Sequence, residues 1–252
     1  MSEDAMKDLA MRMADDALIY GHRNAEWTGL APTLEEDIAF SSTAQDKFGH
    51  AQSLYQFLQS LGGPDPDTAA FMRDEKDFRC CHFVEFETMD YAVALMRHFL
   101  FDTSERLRYG FLESSSVEPL AQLARKIRGE IKYHTLHART WVQLLGAQGN
   151  EESRLRMQSA ANLCYPIAFS MFEPSAFEDV LRAEGIFVGE SVLKEAWKAD
   201  VAKVFAESSL VVPEVADETV HFGGRRGYHS DALAPLIAEM TEVYRIDPTA
   251  TW

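Results

Sequence analysis

Apolar residues recur three and four positions apart along almost the whole chain, and the two-residue alternation of half-buried strands is nearly absent. The pattern predicts an all-α protein with helices over 3–25, 34–60, 87–113, 117–145, 151–172, 176–184, 190–207 and 231–245. The breakers agree with these limits. Thr33 followed by Glu36 forms a capping box ahead of the second helix, and LGGPDPD at 61–67 ends it with glycine and then proline. The first four helices have the length of bundle helices. Residues 208–230, SSLVVPEVADETVHFGGRRGYHS, are the least regular and read as an ordered loop lying across the bundle. No linker or low-complexity stretch interrupts the pattern, so 1–252 reads as one domain.

The stripes place polar side chains inside. On the second helix the inward stripe runs Phe40, Ala44, Lys47, Ala51, Leu54, Leu58, with His50 beside it, so Lys47 faces inward. On the fourth it runs Leu120, Ala124, Ile127, Ile131, His134, Ala138, Trp141, Leu145, with Glu130 on its edge. Asp102 follows Leu95 and Phe99 on the apolar side of the third helix, and Glu26 lies near the end of the first. Each half of the chain thus offers an acid, then an acid and a histidine: Glu26 with Asp46 and His50, then Asp102 with Glu130 and His134. A di-iron carboxylate bundle follows that plan, taking one Glu from each of two helices and Glu-x-x-His from each of the other two. The i, i+3 spacing sends carboxylate and imidazole off one helix face. Here the residues three before the histidines are Lys47 and Ile131. An ammonium repels a dication and an aliphatic side chain has no donor atom, so Glu26, Lys47, His50, Asp102, Ile131 and His134 read as vestigial metal-site positions, with no metal and no catalytic residue. Lys47 between Glu26 and Asp102 would replace the missing cation, since opposite charges ~4 Å apart attract by ~4 kcal/mol at an effective dielectric of ~20. Two alternatives stay open. Glu26, Asp46, His50, Asp102, Glu130 and His134 could hold iron or manganese in a shifted geometry, making the chain an enzyme in its own right; or the histidines are core residues hydrogen-bonded across helices.

Charge narrows the partners. The formal net charge of −16 argues against nucleic acid or an anionic membrane. No run of 18 apolar residues and no signal-peptide core appears, and the three cysteines, Cys80, Cys81 and Cys164, do not make a disulfide framework, so a cytoplasmic protein is expected. RCCHFVEFE at 79–87 superficially suggests zinc, but adjacent cysteines miss the Cys-x2–4-Cys spacing and no second cysteine pair lies downstream. Gly223, Gly224, Arg225 and Arg226 offer a phosphate-binding or interface loop, with anchoring of the loop to nearby carboxylates the preferred reading. Tyr165, Phe169, Phe172, Trp197 and Phe205 recur at helical spacing and read as core or as a contact between subunits. Ser114, Ser115 and Ser116 lack a Gly-x-Ser-x-Gly frame, which leaves a hydrolase unsupported.

Several strings carry a resemblance: EWTGLAPTLEEDIAF at 26–40, QDKFGHAQ at 45–52, FMRDEKDF at 71–78, EIKYH at 130–134, GGRRGYH at 223–229 and LIAEM at 236–240. FMRDEKDF and GGRRGYH are the most specific, because neither follows from helix periodicity. Together they resemble the C-subunit (PaaC-type) family of bacterial 1,2-phenylacetyl-CoA epoxidases. The resemblance implies a ferritin-like helical bundle with additional C-terminal helices, acting as a structural subunit. The implied partners are the homologous A subunit, which carries the di-iron centre and binds the acyl-CoA, together with the B subunit and a reductase. A hetero-oligomer is expected, with a homodimer as the alternative for the chain alone. Against the A-type motif, Lys47 and Ile131 occupy the glutamate positions, whereas Glu26, His50, Asp102 and His134 match ligand positions. His50 departs from the usual C-type pattern, where glutamine is common, so residual metal binding gains weight. The implied complex epoxidises the ring of phenylacetyl-CoA with O₂ and NADPH-derived electrons. A free-standing acyl-CoA-binding protein is the third reading.

Overall fold

The computed structural model describes residues 2–250. The chain is all-α: among the described residues 72% are helical and none is in a strand. Ten α-helices follow in order: α1 (Ser2–Ala25), α2 (Leu34–Ser60), α3 (Pro66–Phe71), α4 (His82–Glu85), α5 (Tyr91–Leu112), α6 (Glu118–Gln143), α7 (Glu151–Ala168), α8 (Glu178–Ala183), α9 (Glu190–Glu207) and α10 (Leu233–Ile246). They gather into two compact units. One comprises Thr88–Phe222 with residues 2–5, the other Met6–Glu87 with residues 223–250.

In the Thr88–Phe222 unit, α5 is buried on nearly every side, its polar residues included, and packs against α6, α7 and α9. Trp197 of α9 fills the centre, fully buried, stacked on Tyr165 at 5.2 Å and donating its indole N–H to the Leu100 carbonyl at 2.9 Å. Tyr165, Phe169 and Phe172 surround it, with Phe205 beside Tyr165, so this aromatic set is core. A buried bidentate pair, Arg108 to Glu190 at 2.7 and 3.0 Å, staples α5 to α9. Two expectations are corrected here. The inward stripe of α6 ends on Val142, not on Trp141 and Leu145, because a straight helix turns every 3.6 residues and drifts off a strict heptad. The seventh helix leaves α geometry at Phe169, three residues past Pro166, and finishes as a 3₁₀ turn, Phe169–Phe172.

In the Met6–Glu87 unit, α2 buries Phe40, Ala44, Lys47, His50, Ala51, Leu54 and Leu58 as its spacing predicts, and Thr33 caps it by accepting the Glu36 N–H. Gly21 lets α1 approach α2: a Cβ there would come within 3.0 Å of the Phe48 ring. Two short helices, α3 and α4, escape the periodicity. The proline that stops α2 as part of LGGPDPD has a neighbour, Pro66, that starts α3 at its first turn behind the cap Asp65, whose carboxylate accepts the Thr68 N–H at 3.0 Å. Residues 208–230 are irregular except for a 3₁₀ turn, Gly224–Arg226.

Candidate functional site

Lys47 and His50 leave α2 on its inward face, one turn apart, and both are buried, Lys47 to 0% exposure. The ammonium lies 5.6 Å from the centroid of the Tyr20 ring, whose negative face favours a cation. Asp46 is only partly buried. Glu26 falls beyond the end of α1 in an exposed turn, where its carboxylate takes the Arg23 guanidinium at 2.5 Å. The buried acids of α1 are instead Asp15 and Asp16. His22, which the hydrophobic stripes do not single out, packs edge-on to Phe48 at 4.9 Å, and burial followed by the neighbouring Arg23 charge lowers its pKa to about 4. It is neutral at physiological pH.

The other half-site lies between α5 and α6. Asp102 is fully buried, with the His98 Nδ1 at 2.7 Å and the His134 Nδ1 at 3.6 Å. Burial lowers the pKa of His98 despite the upward pull of Asp102, so the ring is neutral and its Nδ1 proton faces the carboxylate. Nε2 is then an acceptor, and the His137 Nδ1 approaches it at 3.4 Å. A directional chain results, His137 to His98 to Asp102. Thr135 closes the join between the helices by donating towards both the Ile131 and Asp102 carbonyls. Ile131 is buried to 0% exposure, directly before the turn that carries His134, while Glu130 is partly exposed. Sequence reasoning misses His98 and His137, although RHFLFD places His98 four residues before Asp102.

The most specific strings meet in a third cluster. Arg73 of FMRDEKDF donates to Asp15 at 2.5 and 3.0 Å, beside Tyr55, whose hydroxyl donates to the same carboxylate at 2.6 Å. Burial alone would lower the pKa of Arg73, but Asp15 more than offsets it and the guanidinium stays charged. Arg225 of GGRRGYH donates to both oxygens of Asp16, at 2.8 and 2.6 Å, and to the Arg79 carbonyl at 2.8 Å. It is buried, so an external phosphate does not reach it, and the geometry is that of a loop anchored to its own carboxylate. Arg226 is exposed. Gly224 must lack a side chain, since a Cβ would come within 3.0 Å of the Cys80 carbonyl, and Gly227 adopts φ +82. His229 binds Glu85 at 2.8 Å, and Ser230 donates to the other oxygen of that carboxylate through its N–H and hydroxyl, at 2.8 and 2.7 Å. Burial works to raise the pKa of Glu85, but these hydrogen bonds hold it below the usual carboxylate range. Cys80 lies against the pair, its thiol pushed well above the usual range by burial and by the Glu85 charge.

The family described as "Phenylacetic acid catabolic protein" matches residues 1–252. The chain belongs to this family. It is 32% identical over 243 residues to the C subunit of the 1,2-phenylacetyl-CoA epoxidase of Escherichia coli (strain K12), covering 96% of this chain and 97% of that one. The fold class of the chain, an all-α ferritin-like helical bundle, agrees with that relationship. Three residues ahead of His50 stands the Lys47 ammonium, and three ahead of His134 stands the Ile131 hydrocarbon. Neither substitute can ligate iron, so the donor sets do not fit a carboxylate-bridged pair of metals. No helix among the described residues is long and apolar enough to cross a membrane.

Proposed function

We propose that this chain is the non-catalytic structural subunit of a multicomponent di-iron monooxygenase that epoxidises the ring of phenylacetyl-CoA in aerobic phenylacetate breakdown. It binds a homologous catalytic subunit, which holds the di-iron centre and the acyl-CoA, and the B subunit and reductase complete the assembly. The chain itself carries no catalytic cofactor. One observation carries this reading: the two positions three residues ahead of His50 and His134 are filled by Lys47 and Ile131, both wholly buried. A dication among these side chains would face a fixed positive charge in one half and find one carboxylate fewer in the other. The kinship with a C subunit supports the same role.

The test is purification of the chain alone and together with its catalytic partner from one expression host. The expected outcome is substoichiometric iron and manganese in the lone chain, a single hetero-oligomeric peak on size exclusion, and iron and O₂-dependent epoxidation only in the complex. Near-stoichiometric iron or manganese in the lone chain, lost in His134→Ala, would overturn the reading in favour of an enzyme with shifted ligands.

A further inference from the structure

RCCHFVEFE fails as a zinc motif on spacing alone, but the fold supplies a ligand that spacing does not show. His229, 149 residues beyond Cys80, brings its Nδ1 to 3.9 Å from the Cys80 sulfur and 2.8 Å from Glu85 Oε1, and the sulfur lies 3.7 Å from that oxygen. These three atoms form the one group of metal-ligating side chains so gathered among the described residues. The side chains of Glu85 and His229 are fully buried, and so is Cys80.

The triangle has the right size. Zinc sits about 2.3 Å from a thiolate and about 2.0–2.1 Å from imidazole nitrogen or carboxylate oxygen. A point meeting all three lengths exists above these atoms. The angles it subtends are roughly 127° for sulfur and nitrogen, 119° for sulfur and oxygen and 87° for nitrogen and oxygen, scattered about the tetrahedral value that zinc prefers. The surrounding bonds also point the ligands inward. His229 Nε2 lies 3.1 Å from the Phe78 carbonyl, an acceptor, so that nitrogen carries the proton and Nδ1 is left to face the cluster. A backbone carbonyl on the remote nitrogen is the usual partner of a metal-bound histidine. Glu85 Oε2 is held by the Ser230 N–H and hydroxyl, which leaves Oε1 turned towards Nδ1 and sulfur. A thiolate and a carboxylate balance the charge of a dication.

We propose that Cys80, Glu85 and His229 form a binding site for a zinc-like dication, Zn²⁺ or Co²⁺, that clasps the segment leading into α4 to the Gly223–Ser230 turn. The ion replaces the thiol proton, which is released to solvent. The site uses none of the vestigial iron positions and does not depend on the proposed subunit role.

The test is a Co²⁺ titration of the reduced, chelator-treated full chain, read by absorbance. The expected result is a near-ultraviolet thiolate-to-cobalt charge-transfer band with intense visible bands of four-coordinate Co²⁺, saturating at one equivalent and bleached by Zn²⁺. Cys81→Ser, which keeps all three ligands, retains the band. Cys80→Ser abolishes it, and His229→Gln weakens Zn²⁺ binding by more than about a hundredfold, beyond the loss expected from an outer-shell partner. Absence of the band in the wild-type chain overturns the proposal, as does a band that Cys81→Ser or Cys164→Ser removes. Should Cys80→Ser fail to fold, the wild-type and Cys81→Ser spectra still decide. Iron held through His134 would leave this outcome untouched, so the two readings fail separately.

Discussion

Asp16 and Arg225 let the cost of a buried ion pair be worked from geometry. The carboxylate takes two guanidinium hydrogen bonds, at 2.8 and 2.6 Å, with side chains 7% and 3% exposed, and it also accepts the Cys81 N–H at 2.8 Å. Asp16→Ala leaves a guanidinium buried beside a methyl group. Removing one partner of such a pair costs about 3–5 kcal/mol, because the charge left behind loses its carboxylate while staying out of solvent. The stranded Cys81 N–H adds up to about 1–3 kcal/mol, partly overlapping. At about 2–4 °C per kcal/mol for a chain of this size, the pair alone predicts a fall in Tm of roughly 6–20 °C. Urea unfolding followed by tryptophan fluorescence, beside a thermal melt, measures both. The double variant Asp16→Ala, Arg225→Ala should be less destabilised than the sum of its singles by well over about 1 kcal/mol, since the second truncation removes the orphaned charge. Replacing the pair by Asp16→Leu with Arg225→Met should cost little by comparison. A single-variant loss below about 1 kcal/mol, or strict additivity in the double, would refute the reasoning.

Three further outcomes follow from other parts of the molecule. Trp197→Ala should cost about 3–5 kcal/mol in the same urea assay, since the ring is fully buried, and Trp197→Phe less. His22, whose pKa falls from 6.5 to about 4 on folding, is neutral in the native protein while the unfolded chain takes up the proton. Its contribution is therefore present above pH 6.5 and lost as pH falls towards 4, at most about 3 kcal/mol by linkage, and His22→Phe should flatten the pH–stability curve across that window. Gly224→Ala should destabilise by more than about 2 kcal/mol because its Cβ meets the backbone of Cys80, whereas Gly49→Ala, inside α2 with open space around it, should gain about 0.5–1 kcal/mol; equal effects in thermal melts would contradict both.

The helices are legible because their periodicity survives in the sequence: α1, α2, α5, α6 and α9 lie within a few residues of their predicted limits. The same stripes place Lys47, His50, Ile131 and His134 inside, where the fold buries them. What periodicity cannot show is pairing across long separations. Asp15 and Asp16 sit within an apolar run, MADDALIY, and periodicity does not mark them as anchors, because their partners Arg73 and Arg225 lie far along the chain. His229 is invisible from RCCHFVEFE for the same reason. Glu26 matches a ligand pattern by position, yet it lies past the helix end, where Arg23 takes its carboxylate.

The two departures from the metal-binding plan have a common electrostatic logic when each half is taken by itself. A buried carboxylate such as Asp102 is costly unless donors or a cation face it. In a metal site the ion meets that demand and tolerates a second carboxylate nearby. Ile131 brings no second charge to compensate here, and two imidazoles at 2.7 and 3.6 Å face Asp102, backed by His137 behind His98. On α2, set against the same plan, the change has the same sign and is larger, a cation where the plan has an anion, with the Tyr20 ring beside it. Either change weakens the pull on a dication within its own half. Reversing one alone should therefore not restore ordinary iron affinity: Lys47→Glu rebuilds Glu-x-x-His on α2 but adds a buried negative charge, at a cost in stability, while Ile131→Glu does the same beside Asp102.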